Sequence, residues 1–176
     1  MIEVEAKARI LDINDIRNKA RKIGKYKGKQ KKIDDYYTLE NLNKYPGKSL
    51  RIRKLDRIYQ VNFKKSINFK NGIHAKKEVE FKVSDINGFI KLIEDFGYKK
   101  WLRKEKETEL YEIRKNFHIE INMIKSLGSF IEVEYLADID KVDKARTEVI
   151  GIMKKLGFSG GEFVKKGYTK MLWDNI

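Results

Sequence analysis

Strict alternation of apolar and polar side chains predicts a β-strand at the very start of the chain. Residues 2–10 place apolar side chains at every second position and Glu3, Glu5, Lys7 and Arg9 between them. This period of two is typical of a strand with one buried face. The first strand therefore carries a charged face that begins with two glutamates and a lysine.

The tripeptide Glu-Val-Glu occurs three times, at residues 3–5, 78–80 and 132–134. In a strand, its two carboxylates share one face and lie about 6 to 7 Å apart. Paired carboxylates repel each other unless cations lie among them. The repeated tripeptide therefore indicates that lysines, arginines or a metal ion lie close to it.

The rest of the pattern predicts an antiparallel sheet with helices packed on it. Asn71-Gly72 is predicted to join two strands in a tight hairpin. The helices cover only one sheet face, so the charged face points either to solvent or into the lumen of a closed barrel. Strands are predicted at 33–38, 50–53, 58–69, 73–83, 99–106, 110–113, 117–124 and 130–135. A first helix, capped by Asp12 or Asn14, is predicted to end at about residue 23, and a second is predicted to follow the cap Ser84. Further helices are predicted at about 140–156 and at 168–173.

Composition narrows the function classes. A chain of 176 residues fits one domain spanning residues 1–176. It has no apolar run long enough to cross a membrane and no signal peptide, so a cytoplasmic protein is expected. The absence of cysteine excludes disulfides and thiolate metal sites, and the two isolated histidines, His74 and His118, do not make a zinc site, so any metal is expected to have oxygen ligands. The formal net charge of +14 indicates a polyanionic partner: nucleic acid, an anionic membrane surface or a phosphorylated small molecule.

The charged sheet face has two interpretations. As a solvated face, it holds cross-strand ion pairs worth about 0.2 to 1 kcal/mol each. As a pocket, its lysines and arginines bind a polyphosphate while its glutamates hold Mg²⁺ or Mn²⁺. The repetition of paired glutamates beside cations favours the pocket, which suits metal-dependent phosphoryl chemistry.

Seven ordered motifs, which run almost from end to end, resemble the CYTH family of triphosphate tunnel metalloenzymes. That family includes class IV adenylyl cyclases, thiamine triphosphatases and inorganic triphosphatases. The motifs are Glu3-x-Glu5-x-Lys7, Asp34-x-Tyr36-Tyr37, Leu50-Arg51-Ile52-Arg53, Phe63-Lys64, Lys76-x-Glu78-x-Glu80, Leu127-Gly128-x-Phe130-x-Glu132-x-Glu134 and Tyr168-x-x-Met171-Leu172.

The resemblance implies an α+β fold in which a closed eight-stranded antiparallel β-barrel forms a triphosphate tunnel with helices on its outside. It implies Mg²⁺ or Mn²⁺ as the cofactor and Glu78 and Glu80 as catalytic residues that tune the bases, hold metal or orient water. The implied metal ligands are Glu3, Glu5, Glu132 and Glu134, and the implied substrate-binding residues are Lys7, Arg51, Arg53, Lys64, Lys76 and Lys106.

Three positions depart from the family pattern. Lys76 and Thr108 stand where arginine is usual, and Asn122 stands in place of an aspartate. A lysine offers phosphate a point charge rather than a bidentate contact. Loss of the aspartate removes an acidic ligand for metal or water. These changes affect the expected turnover and metal stoichiometry more than the expected fold.

The leading hypothesis is therefore a metal-dependent triphosphatase that acts on tripolyphosphate, a nucleoside triphosphate or thiamine triphosphate. An adenylyl cyclase is the first alternative. It is disfavoured because cyclases of the family carry a His-Phe pair before the first motif, and only two residues precede Glu3 here. A non-catalytic binder of RNA or polyphosphate is the second alternative. No membrane partner is expected, and the chain is expected to be a monomer or a homodimer.

Overall fold

The strands are long and the helices few. The structure is a computed structural model that describes residues 1–55, 58–70 and 73–175, and of residues 64–70 and 73–78 it describes the backbone only. The strands are β1 (Ile2–Arg9), β2 (Lys25–Thr38), β3 (Leu50–Leu55), β4 (Ile58–Lys70), β5 (Ile73–Val83), β6 (Lys99–Arg114), β7 (Phe117–Ile124) and β8 (Gly128–Ala137). The helices are α1 (Ile13–Ile23), α2 (Ile86–Asp95), α3 (Val142–Leu156) and α4 (Tyr168–Trp173).

All strand pairings are antiparallel, and the strands follow the ring order β1-β5-β4-β3-β2-β6-β7-β8. The order brings β1 between β5 and β8, so the first strand pairs with residues far along the chain. The register sets Lys7 opposite Glu132 and Glu5 opposite Glu134. We call this eight-strand assembly the ring. Its register places charges of two of the Glu-Val-Glu motifs side by side.

The expected closed eight-stranded antiparallel barrel with helices packed on its outside requires correction. Within the residues that the structure describes, β1 pairs with β5 over Ile2–Glu5, because β5 begins at Ile73 and its first residues already lie opposite Glu5. Beyond that point a C-terminal segment lies along β1. Ala8 forms a bridge with Phe163, and the amide of Val164 donates to the carbonyl of Lys7 at 2.8 Å. Strand pairing alone therefore does not close the wall along the full length of β1.

One helix, α4, also differs from the expectation in where it lies. α1 and α3 pack outside the ring on a core that includes Val4, Ile119 and Val133, and α2 packs on a smaller cluster around Val61. The short helix α4 instead places Tyr168 among the residues that line the interior of the ring. It packs on Phe130 near the turn between β7 and β8. Helix α4 thus lies across one end of the ring.

Most predicted boundaries are confirmed, and three are wrong. β2 begins at Lys25 rather than at 33, and the two strands predicted at 99–106 and 110–113 are one strand, β6. The two extensions pair with each other, with Lys29 opposite Glu109 and Lys31 opposite Glu107. Cross-strand charge complementarity stabilises a stretch too polar to show the strand pattern. The cap of α2 is Asp85, whose side chain accepts from the amide of Gly88, rather than Ser84.

No helix within the described residues is both long enough and apolar enough to cross a membrane.

The C-terminal segment predicts a measurable contribution to stability. Phe163 is 5% exposed and belongs to the main core, so Phe163→Ala should lower the free energy of unfolding by about 3 to 5 kcal/mol. Phe96 is 73% exposed, and Phe96→Ala is the matched control, with an expected change within about 0.5 kcal/mol. Urea unfolding followed by circular dichroism measures both. Equal effects of the two substitutions would show that the segment does not pack along β1.

Candidate functional site

The interior of the ring contains a cavity of about 590 Å³ with a mainly polar lining. All eight strands of the ring contribute side chains to its walls. Among the described residues, the charged side chains that line it are Glu3, Glu5, Lys7, Arg51, Arg53, Glu80, Lys104, Lys106, Glu120, Glu132 and Glu134.

Three glutamates on β1 and β8 form a compact group of carboxylates. Oxygens of Glu3, Glu5 and Glu134 all lie within 4.8 Å of one another, and Glu3 and Glu5 are almost fully buried. His118 on β7 lies beside them, with Nε2 3.8 Å from an oxygen of Glu134. Burial lowers the pKa of His118, which favours its neutral form. The group offers mainly carboxylate oxygens, the donors that Mg²⁺ and Mn²⁺ prefer.

Lys7 joins this group to the rest of the cavity. Its Nζ lies 3.0 Å from Glu5 and 3.3 Å from Glu132, and it faces the ring of Tyr168 at 5.1 Å. Burial disfavours the charged ammonium, but the two carboxylates outweigh burial and raise the pKa of Lys7. Lys7 therefore stays charged although it is only 2% exposed.

Glu120 holds two lysines on the opposite wall. Its carboxylate accepts from Lys32 at 2.9 Å and from Lys106 at 3.0 Å. Burial favours the neutral acid, but the two lysines outweigh it and hold the pKa of Glu120 well below its usual value. Burial lowers the pKa of Lys32, whereas the carboxylates Glu120 and Glu132 raise the pKa of Lys106 against the effect of burial.

Asp34 plays the same part for a second pair of cations. It is fully buried and accepts from Arg53 at 2.6 and 2.9 Å through Nε and Nη2, and Lys104 lies 3.0 Å away. Lys104 also donates to the hydroxyl of Tyr36 at 3.0 Å. Although burial opposes ionisation, Lys104 and Arg53 keep the pKa of Asp34 well below its usual value. Asp34 therefore fixes the two cations in the wall.

Glu80 on β5 lies near Arg51, one of the cations of the cavity. Its carboxylate accepts from the Gln60 amide at 3.1 Å and lies 3.9 Å from Arg51. Glu80 is exposed, in contrast to the glutamates on β1. It is thus a carboxylate that water can reach at the edge of the cationic wall.

Asn122 connects the acidic side chains of β7 and β8. Its amide nitrogen donates to Glu132 at 2.7 Å and to Glu120 at 3.3 Å, and its oxygen accepts from the Thr108 hydroxyl at 2.6 Å. An aspartate at this position could not donate and would repel both glutamates. The departures at Asn122 and Thr108 therefore form one neutral, hydrogen-bonded pair.

Comparison of the chain with known proteins identifies its family. Residues 1–168 match the CYTH domain. The chain belongs to the CYTH-domain family. It is 28% identical over 174 residues to a protein of Methanocaldococcus jannaschii named as a proposed adenylate cyclase, a match that covers 97% of this chain and 98% of that protein.

Solved structures share the CYTH fold of this chain. A Pyrococcus horikoshii protein superposes with a TM-score of 0.81 at 24% identity, and the match covers 96% of this chain and 98% of that one. A proposed adenylyl cyclase from Hippeastrum, described as having a dominant triphosphatase activity, gives a TM-score of 0.61 at 13% identity. That match covers 97% of this chain and 93% of the Hippeastrum chain.

The cavity inside the ring brings together most of the site residues that were predicted from the sequence. The side chains of Lys64, Lys76 and Glu78 lie outside the described residues. Glu132 lies beside Lys7 and Asn122 rather than in the three-carboxylate group. The predicted residues that line the cavity are Glu3, Glu5, Lys7, Arg51, Arg53, Glu80, Lys106, Glu132 and Glu134.

The sequence analysis did not identify the carboxylates that position the lysines and arginines of the cavity. Glu120 follows the alternation of β7 and shares its strand face with Asn122, so its inward direction could have been read from the pattern. Asp34 was part of a motif but had no role. Lys32 precedes an apolar residue in a lysine-rich stretch, where nothing in the sequence distinguishes a buried lysine from its exposed neighbours.

The buried Asp34 predicts a dependence of stability on pH. Its pKa is lower in the folded than in the unfolded chain, so its contribution to stability is present above about pH 3.9 and is lost as the pH falls from there toward the folded-state pKa. Asp34→Asn should remove about 3 to 5 kcal/mol at pH 7, because Arg53 and Lys104 lose their buried partner, and should flatten the acid limb.

Urea unfolding from pH 7 to pH 2 measures this effect. Asp138→Asn is the control, because Asp138 pairs with Lys141 on the surface with 62% of its side chain exposed. Its loss should change stability by at most about 0.5 kcal/mol. An acid limb that is equally steep in wild type and Asp34→Asn would contradict the assignment.

Proposed function

We propose that this CYTH protein hydrolyses a triphosphate in the ring cavity with the help of a divalent metal ion. One observation carries the proposal: a compact group of three carboxylates faces a wall of lysines and arginines that buried acids hold in place. Cations for the phosphates and oxygen ligands for a metal are the two parts that phosphoryl transfer requires.

The charge balance of the cavity supports dependence on metal. Five cations and six carboxylates line it among the described side chains. A triphosphate carries roughly four negative charges, and a lining whose cations are matched by carboxylates does not neutralise it unless further positive charge enters with it. Binding of a triphosphate should therefore require a divalent cation.

The donor set fits such an ion. Glu3, Glu5 and Glu134 would hold Mg²⁺ or Mn²⁺, because three clustered carboxylates supply hard oxygen ligands and tolerate one another better beside a cation. When bound, the ion polarises phosphate oxygens and lowers the pKa of a bound water. Glu132, which Lys7 and Asn122 already contact, would position those two side chains.

The cationic wall would hold and orient the phosphates. Arg51 and Arg53 offer bidentate contacts, and Lys7, Lys104 and Lys106 offer point charges. Lys64 and Lys76 remain predicted phosphate ligands. Glu80, which Gln60 orients and water reaches, would align the attacking water and accept its proton, and Glu78 remains a predicted partner in this role.

A second candidate is adenylyl cyclase activity, favoured by the relatives named as proposed cyclases. In that reaction the ribose 3′-hydroxyl replaces water as the nucleophile, and the same cationic wall would hold the triphosphate. The Hippeastrum protein, for which a triphosphatase activity is dominant, supports hydrolysis as the first candidate. Formation of cyclic AMP from ATP distinguishes the two.

The carboxylate group predicts the effect of removing a metal ligand. A Glu3→Gln, Glu134→Gln double variant should lose at least about 100-fold in phosphate release from tripolyphosphate, ATP or thiamine triphosphate, because charge needed to hold the ion is gone. Mn²⁺ binding, followed by electron paramagnetic resonance, should weaken in parallel. Glu105→Gln is the matched control, because Glu105 pairs with the exposed Lys125.

The wild-type protein should release phosphate in the presence of Mg²⁺ or Mn²⁺ and release none when a chelator removes the metal. If none of the three substrates released phosphate, with or without metal, the proposal would be wrong. Cyclic AMP as the main product from ATP would replace it with the second candidate.

A further inference from the structure

Two aromatic side chains line the cavity beyond the cations. Tyr45 in the loop after β2 and Trp101 in β6 both line the cavity that contains Arg51 and Lys104. The rings of Tyr45 and Trp101 meet edge to face, with centroids 5.5 Å apart. We call Tyr45 and Trp101 the aromatic wall.

A β-bulge turns Trp101 toward the cavity. Along β2, Tyr36 and Tyr37 are neighbours, but their partners on β6 are Leu102 and Lys100, so Trp101 is the extra residue between them. In a regular strand, Trp101 would face away from Lys104, three positions later. Both nevertheless line the cavity. Bulges occur next to active sites, where they redirect a side chain in this way.

Neighbouring side chains hold the aromatic wall in place. The indole nitrogen of Trp101 donates to the Ser49 hydroxyl at 3.1 Å. The hydroxyl of Tyr45 lies 2.7 Å from that of Thr169, and Lys170 lies over the Tyr45 ring. A ring fixed before the ligand arrives loses little entropy on binding. The wall is therefore suited to stack on a rigid planar group.

The aromatic wall is directly connected to the cations. Lys104 lies 5.5 Å from the ring centre of Tyr36, and the Tyr36 ring lies 5.9 Å from that of Trp101. Along β6 the order is Trp101, Lys104 and Lys106, which runs from the end covered by α4 into the middle of the ring. A ligand whose phosphates lie on the lysines extends its other end toward the aromatic wall.

We propose that the aromatic wall recognises a planar heterocycle, so that the substrate is an organic triphosphate with an aromatic ring rather than inorganic tripolyphosphate. This inference rests on the proposed function and specifies its substrate class. Stacking of a base on an aromatic side chain is lost on substitution by alanine, with an expected effect of about 5- to 150-fold in affinity.

The test is calorimetric binding in Mn²⁺ of three non-hydrolysable ligands, the methylene-bridged analogues of tripolyphosphate, ATP and thiamine triphosphate. Trp101→Ala should weaken one or both ring-bearing ligands about 5- to 150-fold and leave tripolyphosphate within about 2-fold. Trp101→Phe, which keeps a stacking ring, should recover most of the affinity. The ring-bearing ligand that responds identifies the base as a purine or as the thiamine heterocycle.

Trp173→Phe is the matched control. Trp173 packs on both Tyr45 and Trp101 but is not among the described residues that line the cavity, so its variant should bind all three ligands as wild type does. Equal losses for Trp101→Ala and Trp173→Phe, equal losses for tripolyphosphate and the ring-bearing ligands, or no loss at all would overturn the inference.

Phosphate release is measured on the same samples so that the two proposals can fail separately. If the wild-type protein hydrolyses tripolyphosphate but binds neither ring-bearing ligand more tightly than the tripolyphosphate ligand, the proposed substrate class is wrong. The proposed triphosphatase activity is then unaffected. Binding that depends on the Trp101 ring without any phosphate release overturns the triphosphatase and supports the ring site.

Discussion

Every charge buried inside the ring needs a partner, and that constraint organises the whole structure. An isolated ion loses several kcal/mol of hydration when it leaves water, and only close opposite charges and hydrogen bonds compensate. Lys7 lies between Glu5 and Glu132, Lys32 and Lys106 share Glu120, and Arg53 and Lys104 share Asp34. The strand register that pairs β1 with β8 brings the first of these groups together.

The same pairing gives the cavity its chemistry. Cations that are fixed by buried acids cannot turn away when a ligand leaves, so the wall is arranged for phosphates before they bind. The carboxylates of Glu3, Glu5 and Glu134 come together on β1 and β8. The two parts together give the cavity one wall suited to a metal ion and another suited to anions.

Much of this arrangement could be predicted from the sequence, because alternation is a local property. The alternation predicts the charged face of Glu3, Glu5 and Lys7, which the structure places inside the ring. Asp12, one of the two expected caps, caps α1. The extension of β2 from Lys25 and the bulge at Trp101 could not be predicted in this way. Both depend on pairing between β2 and β6, which are far apart along the chain.

The position of a metal ion most directly tests the central claim. Crystals of the protein soaked with Mn²⁺ and a non-hydrolysable triphosphate should give an anomalous peak within bonding distance of Glu3, Glu5 and Glu134 and phosphate density on Arg51, Arg53 and Lys104. A manganese peak elsewhere, or triphosphate bound outside the ring, would contradict the account.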